Sequence, residues 1–258
     1  MDETSFATKK ASTQKDVLSF YDQYAQTWDS RFGNKPSDTY FLNQRWQSFA
    51  DMLDTDTRDV TAVELGVGTG VYIDRAARAF KKIIAVDGSP KMLEELEKKL
   101  EHFNISNVET QCADVTAISS LPDATADVVY FFGLVEHIIE IDAFFNEIRR
   151  ILKPGGMVIG VMPNKKSPWY ALRKMVRGTG AHCSSDRYYG LDNVRDWCRK
   201  YGFTCTAYKY WGCVPAGLSA GAFHILKGLE KPVIHSPFAS FAGGITFKMQ
   251  KTASNSAV

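Results

Sequence analysis

Apolar positions along this chain follow two alternating rhythms. Val17, Leu18, Tyr21, Tyr24, Ala25 and Trp28 recur at helical spacing over 14–28, and Phe41, Leu42, Trp46, Phe49 and Leu53 do so over 38–53. The rhythm then shortens. Val60, Ala62, Val63 and Leu65 suit a buried strand, as do 82–87, 107–115, 127–132 and 157–161. Helical patterns separate these runs: one through Val71, Ile73, Ala76, Ala77 and Phe80, one opened by Ser89-Pro90, and one over 142–152. Strand and helix in strict alternation predict a parallel sheet with right-handed crossovers. Further on, 191–201 reads as a helix that Gly202 closes, 203–210 as a strand, 218–228 as a helix and 245–250 as a last strand.

The connection after the first strand carries the candidate chemistry. Val63-Glu64-Leu65-Gly66-Val67-Gly68-Thr69-Gly70 turns from strand to helix through three glycines, and Thr69 is read as the N-cap of that helix. A strand, a glycine loop and a helix N-terminus in this order form a cradle whose backbone donors face outward. The second strand ends in Asp87, 21 residues after Gly66, close to the spacing of about 20 for an acid that accepts from a ribose. The third ends at Asp114-Val115. The fourth leads into Phe132-Gly133 and then Leu134-Val135-Glu136-His137-Ile138. The 142–152 helix stops at Lys153-Pro154-Gly155-Gly156. A dinucleotide fingerprint requires Gly or Ala three positions after its second glycine; position 71 is Val, so that alternative is broken here.

Taken in order, Glu64–Gly70, Val86–Met92, Ala113–Val115, Leu134–Ile138 and Leu152–Gly156 resemble the motifs of class I S-adenosylmethionine-dependent methyltransferases, with a likeness covering about 16–211 and the last strand. The resemblance implies a Rossmann-like α/β fold: a seven-stranded, mostly parallel sheet with its last strand antiparallel, a helical cap over 14–56 and an insertion before the last strand. The domain proper spans 57–251, with 162–190 and 211–244 on the substrate side, a disordered segment over 1–13 and a tail over 252–258. S-adenosyl-L-methionine is the implied cofactor and S-adenosyl-L-homocysteine its product. By the same likeness Gly66, Gly68 and Gly70 face the cofactor's methionine part and ribose, and Glu64 takes its amino group. Asp87 holds the ribose hydroxyls with Gly88 and Ser89 beside it. Met92, Asp114 and Val115 meet the adenine, and Phe132-Gly133 offers a carbonyl to the amino group. Tyr21, in a Tyr-Asp-containing first helix, and Arg45 reach the cofactor's carboxylate.

The implied reaction is methyl transfer to a small acceptor by in-line displacement, with O-methylation placed ahead of N- or C-methylation on frequency alone. His137 is the first candidate base; Tyr188, Tyr189 and His182 are alternatives. Trp169, Tyr170, Tyr188, Tyr189, Trp211 and Phe223 suit a flat or apolar acceptor. Between Lys153 and Arg187 seven basic residues stand against one acid, Asp186, which suggests an anionic acceptor or a lipid-like one at an anionic surface. A catalytically silent partner subunit on the same fold is the competing reading.

Bulk composition adds bounds. A length of 258 residues allows one large α/β domain, and 45% hydrophobic and 23% charged residues are ordinary for a globular chain. A net charge of +2 carries no nucleic-acid signal. No apolar run reaches a transmembrane length, no secretory signal opens the chain, and the five cysteines form no Cys-x-x-Cys pair. Cytoplasmic location with reduced thiols is expected. His182-Cys183 is the one cluster with ligand chemistry, without partners at ligand spacing, so no metal is expected.

Overall fold

The computed structural model describes residues 13–31, 33, 35–53, 56–170 and 187–252. The seven strands are β1 (Thr61–Leu65), β2 (Lys82–Asp87), β3 (Val108–Cys112), β4 (Ala126–Phe132), β5 (Leu152–Pro163), β6 (Phe203–Trp211) and β7 (Gly244–Lys251). They form one sheet in the order β3-β2-β1-β4-β5-β7-β6. The first five pair in parallel; β7 runs antiparallel to both β5 and β6. The expected fold is therefore the observed one. Order reverses between β1 and β4, and such a switch point opens a crevice at the strands' carboxyl ends.

Side chains alternate across each strand and so serve two cores. On one face Val63, Leu65, Val129, Phe131 and Phe247 meet α5 (Ile141–Ile151) and α6 (Leu191–Tyr201) through Phe144, Phe145, Ile148 and Trp197. On the other, Ala62, Ile83, Ala85, Val128 and Tyr130 meet α2 (Pro36–Ala50), α3 (Ile73–Ala79) and α4 (Pro90–His102) through Phe49, Ile73, Ala76, Leu93 and Leu96. Glu64 faces this second side, so a carboxyl enters an otherwise apolar layer.

Several element ends differ from the expected ones for local reasons. The first helix, α1 (Gln14–Tyr24), passes into tight single turns over Ala25–Thr27 and Asp29–Arg31 rather than running to Trp28. The glycine-loop helix starts at Ile73 with Tyr72 at its N-cap. Thr69 does not cap it: its hydroxyl donates to Asp29 Oδ1 at 2.6 Å. Lys99 pairs with Asp29 Oδ2 at 2.5 Å and donates to the Thr69 carbonyl at 2.7 Å, which ties the N-terminal cap to the loop. The Lys153-Pro154-Gly155-Gly156 stop lies inside β5, where the register jumps from Ala126↔Leu152 to Val128↔Met157. The third strand is shorter than 107–115. The insertion helix, α7 (Ala220–Ile234), starts later and runs further than 218–228. The closure of α6 by Gly202, at φ +68°, is as the sequence indicates.

Among the described residues no helix is long and apolar enough to cross a membrane, and no group of three or more His, Cys, Asp or Glu side chains could hold a metal ion. The readings placed on His182-Cys183, Arg173, Lys174, Arg177, Asp186 and the first twelve residues lie outside the described residues.

Candidate active site

A cavity of about 680 Å³ lies across the carboxyl ends of β2, β1, β4 and β5, within the range of roughly 300–1,000 Å³ usual for small-ligand sites. Its floor is the glycine loop. Gly66, Gly68 and Gly70 all hold positive φ, at +65°, +56° and +71°. A Cβ at Gly68 would meet nothing within 4 Å, so bare backbone there faces open space where a ligand can approach it closely. At Gly66 a Cβ would fall 2.5 Å from Leu134 Cδ1. Gly70 does not reach the cavity. Its Cβ would sit 2.5 Å from Leu96 Cδ1 and 3.1 Å from Ile73 Cβ, so this glycine lets α3 and α4 pack together. The expected ligand-facing role of Gly70 is corrected accordingly.

Asp87 ends β2 beside that floor. Its Oδ2 accepts the Gly68 N–H at 2.8 Å and its Oδ1 accepts the Ser89 N–H at 2.9 Å. Burial nonetheless raises the carboxyl above its usual range, against those two donors. Gly88 lies on the lining, with Leu18 of α1 directly over it. Ser89 is fully buried and off the lining, a second correction. It caps α4, accepting the Met92 N–H at 3.2 Å, and its hydroxyl donates to Asp22 of α1. Its place beside Asp87 is real; its work is to hold α1 and α4 together.

Glu64 is buried and accepts from Tyr130 Oη at 2.9 Å. Burial pushes its carboxyl up to about 8; the Tyr130 bond and the Arg45 charge oppose this, and Asp87 adds to it. The Tyr130 phenol is pushed well above its usual range by the same burial and by Glu64. Arg45, from α2, lies 5.7 Å from the Phe132 ring centroid, and a Cβ at Gly133 would meet its Nη2 at 2.3 Å. Tyr72 lines the same wall, its ring 4.5 Å from Phe132.

Asp114 holds itself in a turn, accepting from Thr116 N at 2.9 Å and Thr116 Oγ1 at 2.7 Å. It lines the cavity next to the buried Val115 and Met92. His137 closes the tight turn Val135–His137 after β4, its N–H donating to the Leu134 carbonyl at 2.8 Å. Tyr21 packs edge-on against the His137 ring at 5.4 Å and against Trp28 at 5.3 Å. Tyr21, Arg45, Glu64, Gly66, Gly68, Asp87, Gly88, Met92, Asp114, Val115, Phe132, Gly133 and His137 thus all line one cavity.

The far end is formed by Phe41, Trp169, Tyr170, Tyr188, Trp211 and the 215–218 loop. Tyr170 and Tyr188 stack at 4.6 Å, and Tyr170 Oη donates to the Gly243 carbonyl at 3.1 Å. Tyr189 and Phe223 do not line it: they pack on Trp197 and Tyr40. The described basic residues between 153 and 187 do not line it either. Lys153 pairs with Asp127 at 2.8 Å, Lys165 pairs with Asp192 at 2.5 Å, and Arg187 donates its N–H to the Glu136 carbonyl at 2.8 Å. Sequence reasoning missed Trp28, Tyr72, Leu134 and Glu136 among the lining. Glu136 lies inside the Leu134–Ile138 motif, next to His137. Tyr72 stood two residues past the glycines, and nothing local distinguished it from a core aromatic.

Residues 63–160 match the family model described as "Methyltransferase domain". The cypemycin N-terminal methyltransferase of a Streptomyces species is 38% identical over 100 residues, covering 37% of this chain and 39% of that protein. The chain spans less than two thirds of the length of the first curated relatives it matches. Among solved structures, the [4+2]-cyclase SpnF superposes with a TM-score of 0.67 at 16% identity, over 95% of this chain and 98% of that one. Haemonchus contortus phosphoethanolamine N-methyltransferase 2, in complex with S-adenosyl-L-methionine, superposes with a TM-score of 0.64 at 19% identity, over 94% of this chain and 61% of that one.

Proposed function

We propose that this chain, which belongs to the class I S-adenosylmethionine-dependent methyltransferase family, transfers a methyl group to a flat, largely apolar small acceptor bound at the aromatic end of its cavity. The single observation that carries the reading is the acid-rich near end. Glu64, Asp87 and Asp114 line it, with Arg45 as the countercharge from α2. Two of these carboxyls are held above their usual range by burial. Such a site is short of positive charge, and S-adenosylmethionine brings an ammonium and a sulfonium, with a carboxylate for Arg45.

The bound cofactor supplies a methyl group on an electrophilic sulfonium. The chain's own residues supply position. Asp87 fixes the ribose, and Gly68 lets the backbone close on the ligand. Glu64 takes the amino group, Tyr21 and Arg45 the carboxylate, and Asp114, Val115 and Met92 the adenine edge. The Phe132-Gly133 carbonyl completes the amino-group shell. The aromatic end aligns the acceptor and keeps water out. Alignment of this kind supplies roughly 7–11 kcal/mol of a barrier.

His137 is proposed as the proton acceptor, because it is the one imidazole among the described residues that lines the cavity. An imidazole in that role suits a hydroxyl acceptor, whose proton must leave. His137→Gln is then expected to lower kcat by about 10²–10⁴-fold with cofactor affinity unchanged. A near-normal rate with the true acceptor would remove His137 from the chemistry.

The reading as a whole is tested by incubating the protein and methyl-labelled cofactor with a metabolite extract and identifying labelled products by mass. A labelled small molecule is the expected result. Tight cofactor binding with no labelled product in any pool would favour the silent-subunit alternative, since one fold hosts several chemistries.

A further inference from the structure

Two cysteines meet at the outer edge of the sheet, away from the methyl-transfer site. Cys198 lies in the last turn of α6, and Cys205 is the third residue of β6. Gly202, in the left-handed region, turns the chain between them, and its N–H donates to the Cys198 carbonyl. That turn is clamped by neighbouring elements. Arg149 Nη1 donates to the Tyr201 and Gly202 carbonyls at 3.2 and 2.6 Å, and the Thr252 N–H donates to the Gly202 carbonyl at 3.2 Å. The end of α6 is thus fixed against the start of β6, and Cys205 packs on the core that holds Cys198. Both cysteines are free thiols, Cys198 buried and Cys205 half-buried.

A β-bulge follows Cys205 directly. The register of β6 against β7 jumps from Cys205↔Met249 to Ala207↔Lys248, with Thr206 as the extra residue. Before the bulge Phe203 and Cys205 face α6; after it Ala207 faces the opposite core. Cys205 Sγ donates to the Ala207 carbonyl at 3.7 Å, and the Cys198 thiol is hydrogen-bonded to Cys205 Sγ. The Cys198 bond holds the Cys205 thiol below its usual range against burial, and the charge of Arg195, one turn before Cys198, adds to this. The same bond pushes the Cys198 thiol up, with burial in support. One sulfur is therefore set to ionise and its neighbour to keep its proton.

We propose that this pair is an oxidation site for hydrogen peroxide, with Cys205 as the attacking sulfur and Cys198 as the resolving one. The Cys205 thiolate attacks one peroxide oxygen. An S–O bond forms, the O–O bond breaks, and the departing hydroxide takes up the proton that Cys205 gave off, as water. The Cys198 sulfur then attacks Cys205. The S–S bond forms, the S–O bond breaks, and the Cys198 proton leaves with the oxygen as a second water. Two electrons pass from the sulfur pair to the peroxide. Neither cysteine lines the cavity, so the disulfide closes a ring over 198–205 between a helix and an edge strand and leaves the site in place. The inference does not rest on the methyl-transfer reading, because this oxidation needs neither cofactor nor acceptor.

The test is a peptide mass map of the reduced full chain before and after dilute hydrogen peroxide at neutral pH, quenched with an alkylating agent and digested with trypsin. Cleavage after Arg195, Arg199, Lys200 and Lys209 places Cys198 in the peptide Asp196–Arg199 and Cys205 in Tyr201–Lys209. The treated parent should yield these two peptides joined, lighter than their sum by two hydrogens, and separable with dithiothreitol. Cys198→Ala should lose the joined pair and carry instead a dimedone-trapped sulfenic acid at Cys205. Cys205→Ser should lose the pair and leave Cys198 reduced. Both variants should bind S-adenosylhomocysteine as the parent does, and melting curves check that each is folded. The proposal falls if the treated parent yields the two peptides unlinked, or if the exposed Cys112 is oxidised before Cys205. It also falls if Cys198 in the Cys205→Ser protein is oxidised as fast as the parent pair.

Discussion

Asp87→Ala is expected to weaken S-adenosylhomocysteine binding by about 30- to 1,000-fold in an isothermal titration. The carboxylate orders the glycine loop in the fold and is proposed to hold the ribose of the ligand. Hydrogen bonds to a charged acceptor contribute about 1.5–3 kcal/mol each, and a loss of roughly 2–4 kcal/mol gives that range. The same substitution removes the acceptor of the Gly68 and Ser89 N–H groups. The glycine floor would then lose the contact that fixes its height against β2, so part of the effect comes from loss of pre-organisation. Asp87→Asn keeps one acceptor oxygen and turns an amide nitrogen toward one of the two backbone donors, so it should fall between parent and Ala. Melting curves of the three proteins distinguish weak binding from unfolding. An Asp87→Ala protein that stays folded and binds within about threefold of the parent would remove Asp87 from the ribose role.

How far this site could be read before the fold was known depended on how local each feature is. The strand runs are local: 82–87 and 127–132 are apolar enough to specify buried strands, and their ends place Asp87 and Phe132-Gly133 at the crevice. Gly202 is local too, since a helix closing in the left-handed region favours glycine. Gly70 was not legible, because its role is set by Leu96, 26 residues away in sequence and on another helix. Thr69 reads differently in the fold for the same reason: a hydroxyl two residues before a helical pattern looks like a cap, and only the folded cap shows it donating a hydrogen bond to Asp29. The basic count over 153–187 pointed to an anionic acceptor, yet Lys153 and Lys165 spend their charge on Asp127 and Asp192 outside the cavity. Composition counts charges without saying which way they point. The same limit hid Glu230, an acid on a sequence-amphipathic helix that the fold turns inward.

Glu64 gives the second large effect, and it is a matter of protons. In the folded protein its carboxyl is held at about 8 against 4.5 for an ordinary Glu. Its folded value lies above its unfolded one, so the protonated form is the stable one in the fold. The stabilising contribution is complete below pH of about 4.5 and is lost as pH rises through about 8, with an upper bound of about 5 kcal/mol. Glu64→Gln should remove this slope, leaving a melting temperature that falls less than the parent's between pH of about 6 and 9. A ligand ammonium placed beside Glu64 favours the ionised form instead. Binding of S-adenosylmethionine near pH 7 must then expel the Glu64 proton. Titrations in buffers of different ionisation enthalpy should report close to one proton released per ligand bound by the parent and close to none by Glu64→Gln. The release should also shrink above pH of about 8, where Glu64 is already ionised without ligand. If the parent's binding enthalpy is the same in every buffer at pH 7, the ammonium does not sit at Glu64, and the orientation proposed for the cofactor's methionine end is wrong.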